Sequence, residues 1–186
     1  MFLKNHILRM KGLVPEDECK KIINYFESHS ELHFEGYLGG NKKANDLKKD
    51  TEISCNFDKS QGPCWISKYI NTALTEYIKQ YPEVNNISSY KKFNLFKLQR
   101  YLPSEGYFAC HCENDNPSVS SRVLAWMIYL NDVTDGGYTE FPSQKKKYQP
   151  RTGDVLLWPA YFTHTHRGVI SKSQTKYIAT GWFNFL

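Results

Sequence analysis

The chain has 186 residues, of which 40% are hydrophobic and 15% aromatic, enough to bury one good core and too few to suggest two full domains. Basic residues exceed acidic ones by 24 to 19, a net charge of +5, but only Lys145 to Lys147 form a tight run, which reads as a solvated loop. The charge therefore gives no strong nucleic-acid signal. Cys19, Cys55, Cys64, Cys110 and Cys112 are odd in number and include no Cys-x-x-Cys pair, which excludes a disulfide framework and a zinc knuckle as first readings.

The first ten residues carry charges every few positions, and no stretch approaches transmembrane length, so the expected setting is soluble, cytoplasmic and away from membranes. Val14-Pro-Glu-Asp-Glu18 places Pro and acids ahead of Cys19, Ile22, Ile23 and Phe26, whose spacing predicts a capped amphipathic helix. Gly36 to Asp50 is polar and reads as a mobile loop, and Thr51 to Phe57 as a short strand. A second helix is predicted from about Pro63 to Tyr81, burying Trp65, Ile66, Tyr69, Ile70, Ala73, Leu74, Tyr77 and Ile78.

From Phe93 onward the texture becomes strand-like. The predicted strands are Asn94 to Tyr101, Tyr107 to Cys112, Val123 to Leu130, Thr139 to Phe141, Asp154 to Trp158, His164 to Val169 and Lys176 to Phe185. Val123 to Leu130 is apolar on both faces, as in a central strand of two packed sheets. The expected fold is mainly β with N-terminal helices: a double-stranded β-helix, or jelly roll, of two antiparallel sheets supported by helices. It is read as one domain over 1–186, with helical support in 1–92 and the catalytic core in 93–186.

His111 and Glu113 are two residues apart at a strand end, so period-2 geometry sends both to one face. A further histidine from Thr163-His-Thr-His-Arg-Gly168 completes a two-His, one-carboxylate set, the arrangement of non-haem iron sites. His164 and His166 share strand parity, so alternation leaves both open. Lys176 opens the last apolar strand, where a buried ammonium requires an anion.

The segment from Leu98 to Phe185 resembles the prolyl 4-hydroxylase-like family of 2-oxoglutarate and Fe(II)-dependent dioxygenases. The resemblance is carried, in order, by Tyr101, Gly106 and Tyr107, His111-Cys-Glu113, Arg122, Tyr129-Leu-Asn-Asp132, Gly136-Gly-Tyr-Thr-Glu-Phe-Pro142, Pro150-Arg-Thr-Gly153, His166-Arg-Gly168, Lys176 and Trp182. It departs from the family in having Glu113 where most members carry Asp, one methylene longer but still a carboxylate. Halogenating relatives lack that carboxylate, so Glu113 points to hydroxylation.

The resemblance implies a metal triad of His111, Glu113 and His166, since only His166 has the family's spacing to the following Gly and Lys. It implies co-substrate contacts from Lys176 with a hydroxyl among Tyr101, Tyr107, Tyr129 and Thr180. The spacing before His111 leaves Tyr101, Tyr107 and Phe108 as rivals for the family's tyrosine position. Lys172, in a polar turn, is a weaker rival to Lys176. The implied cofactors are Fe(II), 2-oxoglutarate and O2 as co-substrates, and ascorbate as an accessory reductant. The implied reaction hydroxylates a C–H bond, of a prolyl or other peptidyl side chain, with release of succinate and CO2. Gly36 to Asp50 and Asn114 to Ser121 are candidate lids over a protein or peptide substrate. The alternatives are hydroxylation of a free amino acid, small molecule or nucleobase, and a noncatalytic jelly-roll metal-binding or sensor module.

Overall fold

A computed structural model describes residues 4–36 and 47–186. Most of the segment read as a mobile loop, residues 37–46, lies outside the described residues.

In chain order the elements are β1 (Leu8–Met10), α1 (Glu16–Ser28), β2 (Phe34–Glu35), β3 (Lys48–Lys49), β4 (Thr51–Asn56), α2 (Ser67–Gln80), β5 (Tyr90–Tyr101), β6 (Gly106–His111), β7 (Arg122–Tyr129), β8 (Thr139–Phe141), β9 (Lys146–Tyr148), β10 (Val155–Pro159), β11 (His166–Gly168) and β12 (Lys176–Phe185). The strands form two antiparallel sheets. The larger runs β1-β10-β7-β12-β5-β4-β2 and the smaller β3-β6-β11-β8-β9. This is the expected mainly β, double-sheet architecture with helical support.

Strand alternation explains the layering. On β7, Leu124, Trp126 and Ile128 join a core with Cys19, Ile22 and Phe26 of α1 and Ile70, Ala73 and Tyr77 of α2, so the helices cover the outer face of the large sheet. Ala125, Met127 and Tyr129 point the other way, into a second core with Phe141, Trp158, Ile178 and Trp182 between the sheets. Gly181 on β12 is required by this packing, because a Cβ there would meet the Trp126 ring at 2.5 Å.

Four expectations change. Trp65 is not on the buried face of α2: Cys64–Ile66 forms a 3-10 turn ahead of the helix, off the helical spacing, and leaves Trp65 41% exposed. The strand expected over His164 to Val169 is only β11, because Phe162–His164 is a 3-10 turn. Two of the three lysines read as a loop, Lys146 and Lys147, form β9 beside β8. Lys48 and Lys49, in the segment read as a loop, pair as β3 with β6. Among the described residues no helix is long and apolar enough to cross a membrane.

Candidate metal centre

The two sheets enclose a pocket of about 220 Å3. β6 and β11 are neighbours in the small sheet, and their register sets His111 directly opposite His166. Glu113 follows β6 after one residue, its backbone N–H held by the Ala160 carbonyl at 2.9 Å. The structure thus brings His111, Glu113 and His166 together, with ligand-type atoms within 4.8 Å of one another.

The hydrogen bonds around the three side chains decide which atoms converge. Nδ1 of His111 is 3.0 Å from the Ala109 carbonyl, and Nδ1 of His166 is 3.0 Å from the His164 carbonyl. A ring nitrogen facing a carbonyl must be the protonated one, so each neutral ring presents its Nε2 lone pair. Those Nε2 atoms lie 3.9 and 3.2 Å from Glu113 Oε1. Trp182 Nε1–H donates to the other carboxylate oxygen, Oε2, at 2.8 Å. Three acceptors with lone pairs aimed at one point repel one another unless a cation lies between them, and two imidazoles with one carboxylate form a donor set suited to Fe(II).

The protonation tendencies agree. Burial, the largest cause, lowers His111 to about 4 and keeps it neutral. Burial works to raise Glu113, but positive charge in the site, at His166 Nε2 first, then at His111 and Arg122, outweighs it and holds the group below the usual carboxylate range. A metal cation at the point where the three groups meet would supply that charge with both rings neutral. Arg122 lies with its guanidinium carbon 3.6 Å from the Trp182 ring centroid and donates to the Glu113 carbonyl at 2.9 Å. His164, the rival in sequence, points away: its Nε2 is 2.9 Å from the Asn5 carbonyl.

Lys176 stands deeper in the pocket, 4% exposed. Its ammonium donates to the Gly137 carbonyl at 3.1 Å and lies 4.6 Å from the centre of the Tyr101 ring. Gly137 reaches this position with φ +68°, which a side chain would strain. Among the described residues no carboxylate forms an ion pair with Lys176, and burial lowers it to about 8, opposed only by Asp50. A cation left in this state matches an anionic ligand. Lys172 is exposed.

Of the expected co-substrate contacts, Tyr101, Tyr107 and Thr180 line the pocket. Tyr107 stacks on His111, ring centres 3.6 Å apart. Thr180 Oγ1 donates to the Trp126 carbonyl at 2.9 Å. Tyr129 does not line the pocket. Its parity on β7 buries it between the sheets, where its hydroxyl donates to the Tyr148 carbonyl at 3.1 Å and lies 2.6 Å from Thr139 Oγ1. The sequence reading missed Lys48, Lys97 and Gln99, which also line the pocket. The period-2 repeats Lys48-x-Asp50-x-Glu52 and Lys97-x-Gln99-x-Tyr101 were the available signal.

Residues 96–184 match the family described as the 2OG-Fe(II) oxygenase superfamily. The matched stretch contains β6, β7, β11 and nearly all of β12, which carry or adjoin His111, Glu113, Arg122, His166, Lys176 and Trp182. A protein of Acanthamoeba polyphaga mimivirus, whose proposed assignment is prolyl 4-hydroxylase, is 28% identical, the match covering 75% of this chain and 65% of the relative. The chain thus spans just under two thirds of that relative's length. The fold of the chain is shared with the viral collagen prolyl hydroxylase of Paramecium Bursaria Chlorella virus-1, solved with 2OG (TM-score 0.68, 21% identity, 97% of each chain covered). It is also shared with the Trichoplax adhaerens prolyl hydroxylase solved with a hypoxia inducible factor oxygen degradation domain peptide fragment (TM-score 0.74, 19% identity, 97% and 84% covered).

Proposed function

We propose that this oxygenase hydroxylates a C–H bond of a prolyl or other peptidyl side chain, consuming 2-oxoglutarate and O2 and releasing succinate and CO2. The observation that carries the reading is the pairing, in one pocket, of three converging acceptors with a buried ammonium that has no ion-pair partner among the described residues. His111 Nε2, His166 Nε2 and Glu113 Oε1 hold Fe(II), and the Nδ1 contacts and Trp182 keep those atoms aimed. When bound, the metal and 2-oxoglutarate together supply the oxidising chemistry that the side chains lack. Lys176 binds the far carboxylate of 2-oxoglutarate by a charge-assisted contact, and the Tyr101 ring beneath it fixes its direction. The apolar core between the sheets walls off the floor of the pocket and limits entry of water.

A peptide substrate is favoured over a free small molecule by the relatives that carry prolyl hydroxylase names, one of them holding a peptide. The five cysteines are free, which suits a cytoplasmic, reducing setting. The test is incubation with Fe(II), ascorbate, O2 and labelled 2-oxoglutarate across a panel of proline-containing peptides. Labelled succinate is expected from the wild type and none from His166→Ala. Absence of succinate from the intact wild type under all conditions rejects the reading.

A further inference from the structure

The pocket wall formed by β4 and β5 is unusual for a site framed by apolar strands. Asp50 and Glu52 are wholly buried, Lys48 nearly so, and Gln99 is 6% exposed. Glu52 accepts from three donors: Lys48, Lys97 Nζ at 2.6 Å and Gln99 Nε2 at 2.6 Å. Asp50 Oδ2 accepts from Lys48 at 3.1 Å and from Gln99 Nε2 at 3.0 Å. Desolvating so many charges gives little stability over an apolar wall, so the network is better explained by what it presents than by what it stabilises.

It presents two groups to the pocket. Both carboxylates face Gln99 Nε2, which fixes the amide and turns its oxygen away from them as an acceptor. Lys97 is the only lysine of the network with an accessible ammonium, its side chain 28% exposed, and Glu52 occupies one of its three hydrogens. Lys97 is the register partner of Thr180, two residues before Trp182, which holds Glu113. A strand spacing of about 5 Å separates Lys97 from Thr180, and both line the same pocket as the metal centre. Further out on the same face of β5 stand Leu95, 44% exposed, and Phe93, a short apolar track leading from the pocket along which an extended segment fits. Burial, the largest cause, raises Asp50, so Glu52 is the stronger anion of the two and is the one that holds Lys97.

We infer that Lys97, pinned by Glu52, is a specificity-determining residue that reads a substrate carboxylate adjacent to the oxidised carbon, so that the preferred substrate is a peptide with an acidic residue next to its target. This rests on the proposed function above. Lys176 is reserved for the co-substrate, Arg122 is engaged with Glu113 and Trp182, and Lys48 is buried between Asp50 and Glu52. Among the described residues Lys97, which shares Glu52 with Lys48, is thus the partly exposed pocket lysine left to meet a substrate anion.

Proline-containing peptides that differ only in a flanking Glu, Gln or Lys, together with free glutamate and aspartate, would be compared by succinate release and by fluorescence anisotropy of the labelled peptides. The wild type should favour the Glu peptide over the Gln peptide about tenfold in kcat/KM and in affinity, with the Lys peptide weaker still. In Lys97→Met that ratio should fall to about one, and in Lys97→Arg, which keeps the cation, it should persist. Thermal melting of each variant checks folding, and the Arg variant keeps the test valid should the Met variant not fold. Wild-type turnover with no preference among the peptides overturns the inference alone, as does an unaltered ratio in Lys97→Met. Acceptance of free acidic amino acids in preference to every peptide overturns the peptide as the source of the carboxylate. Absence of succinate in every reaction, with and without peptide, removes the oxygenase reading and the inference together.

Discussion

Replacing Lys176 by Met should act on stability and on ligand binding with opposite signs. The ammonium is 4% exposed and is lowered by burial from its ordinary 10.5 to about 8. At about 1.4 kcal/mol per tenfold change, the charged lysine costs the ligand-free fold about 3 kcal/mol at neutral pH. Met has a similar length and no charge, but its introduction leaves the Gly137 carbonyl without its donor at 3.1 Å, a loss of about 1 kcal/mol. The variant should thus be more stable than the wild type by about 2 kcal/mol at pH 7. Because the unfolded chain holds this proton up to 10.5 and the folded chain only to about 8, the wild-type penalty is complete below pH 8 and fades between pH 8 and 10.5. The gap between variant and wild type should close over that window. Binding should change the other way: a buried carboxylate deprived of its partner costs about 3–5 kcal/mol, which weakens 2-oxoglutarate at least about a hundredfold. Urea denaturation from pH 6 to 10.5 and calorimetry with 2-oxoglutarate and Mn(II) in place of iron measure the two effects. A variant less stable than the wild type at pH 7, together with 2-oxoglutarate affinity within threefold, would refute the reasoning.

Wild-type affinity for 2-oxoglutarate should itself fall as pH rises through 8, because the free protein then loses the ammonium that the ligand needs; calorimetry in a buffer series reads this. His166→Ala should abolish stoichiometric metal binding, whereas His164→Ala, which loses only a contact with the Asn5 carbonyl, should retain it by elemental analysis. Trp182→Phe keeps the ring but removes the donor to Glu113 Oε2, and metal affinity by competition with a chelator should drop about 10- to 100-fold. Gly181→Ala should lower stability by about 1–3 kcal/mol in denaturant melts, since its Cβ would meet the Trp126 ring.

What could be read in the sequence follows from how local each signal is. Seven of the eight residues of β7 are buried, on both faces, and such a run declares a central strand without help from its neighbours. The apolar spacing of α2 declares its inner face from Ile66 to Tyr77, but a change from α to 3-10 geometry at Cys64–Ile66 carries no mark in residue type, which is why Trp65 is misplaced. Strands β1, β2, β3 and β9 have two or three residues, too few for any period, and exist because a partner edge is present. His164 and His166 are indistinguishable by parity, and the turn that separates their roles depends on how residues 162–164 pack. Tyr129 shares the inter-sheet face of β7 with Met127, which does line the pocket. It stands two residues further along in the core, with its hydroxyl engaged by Thr139 and the Tyr148 carbonyl, a position that parity alone does not reveal.

Glu113 shows how a longer ligand is accommodated without moving its neighbours. An extra methylene gives the carboxylate more rotamers than an aspartate has, and freedom of that kind would blur a metal site. Here the excess freedom is removed from three directions: the Ala160 carbonyl holds the Glu113 N–H, Arg122 holds the Glu113 carbonyl, and Trp182 holds Oε2. Only Oε1 is left to face the two Nε2 atoms. Arg122 also lies against the Trp182 ring, so the groups that restrain Glu113 restrain one another. The departure from aspartate is therefore tied to an Arg–Trp support that reaches the same pocket from β7 and β12. These are neighbouring strands of the large sheet, paired in regular register from Ile178–Tyr129 to Phe183–Leu124, with an irregularity just before the Asn184–Arg122 pair.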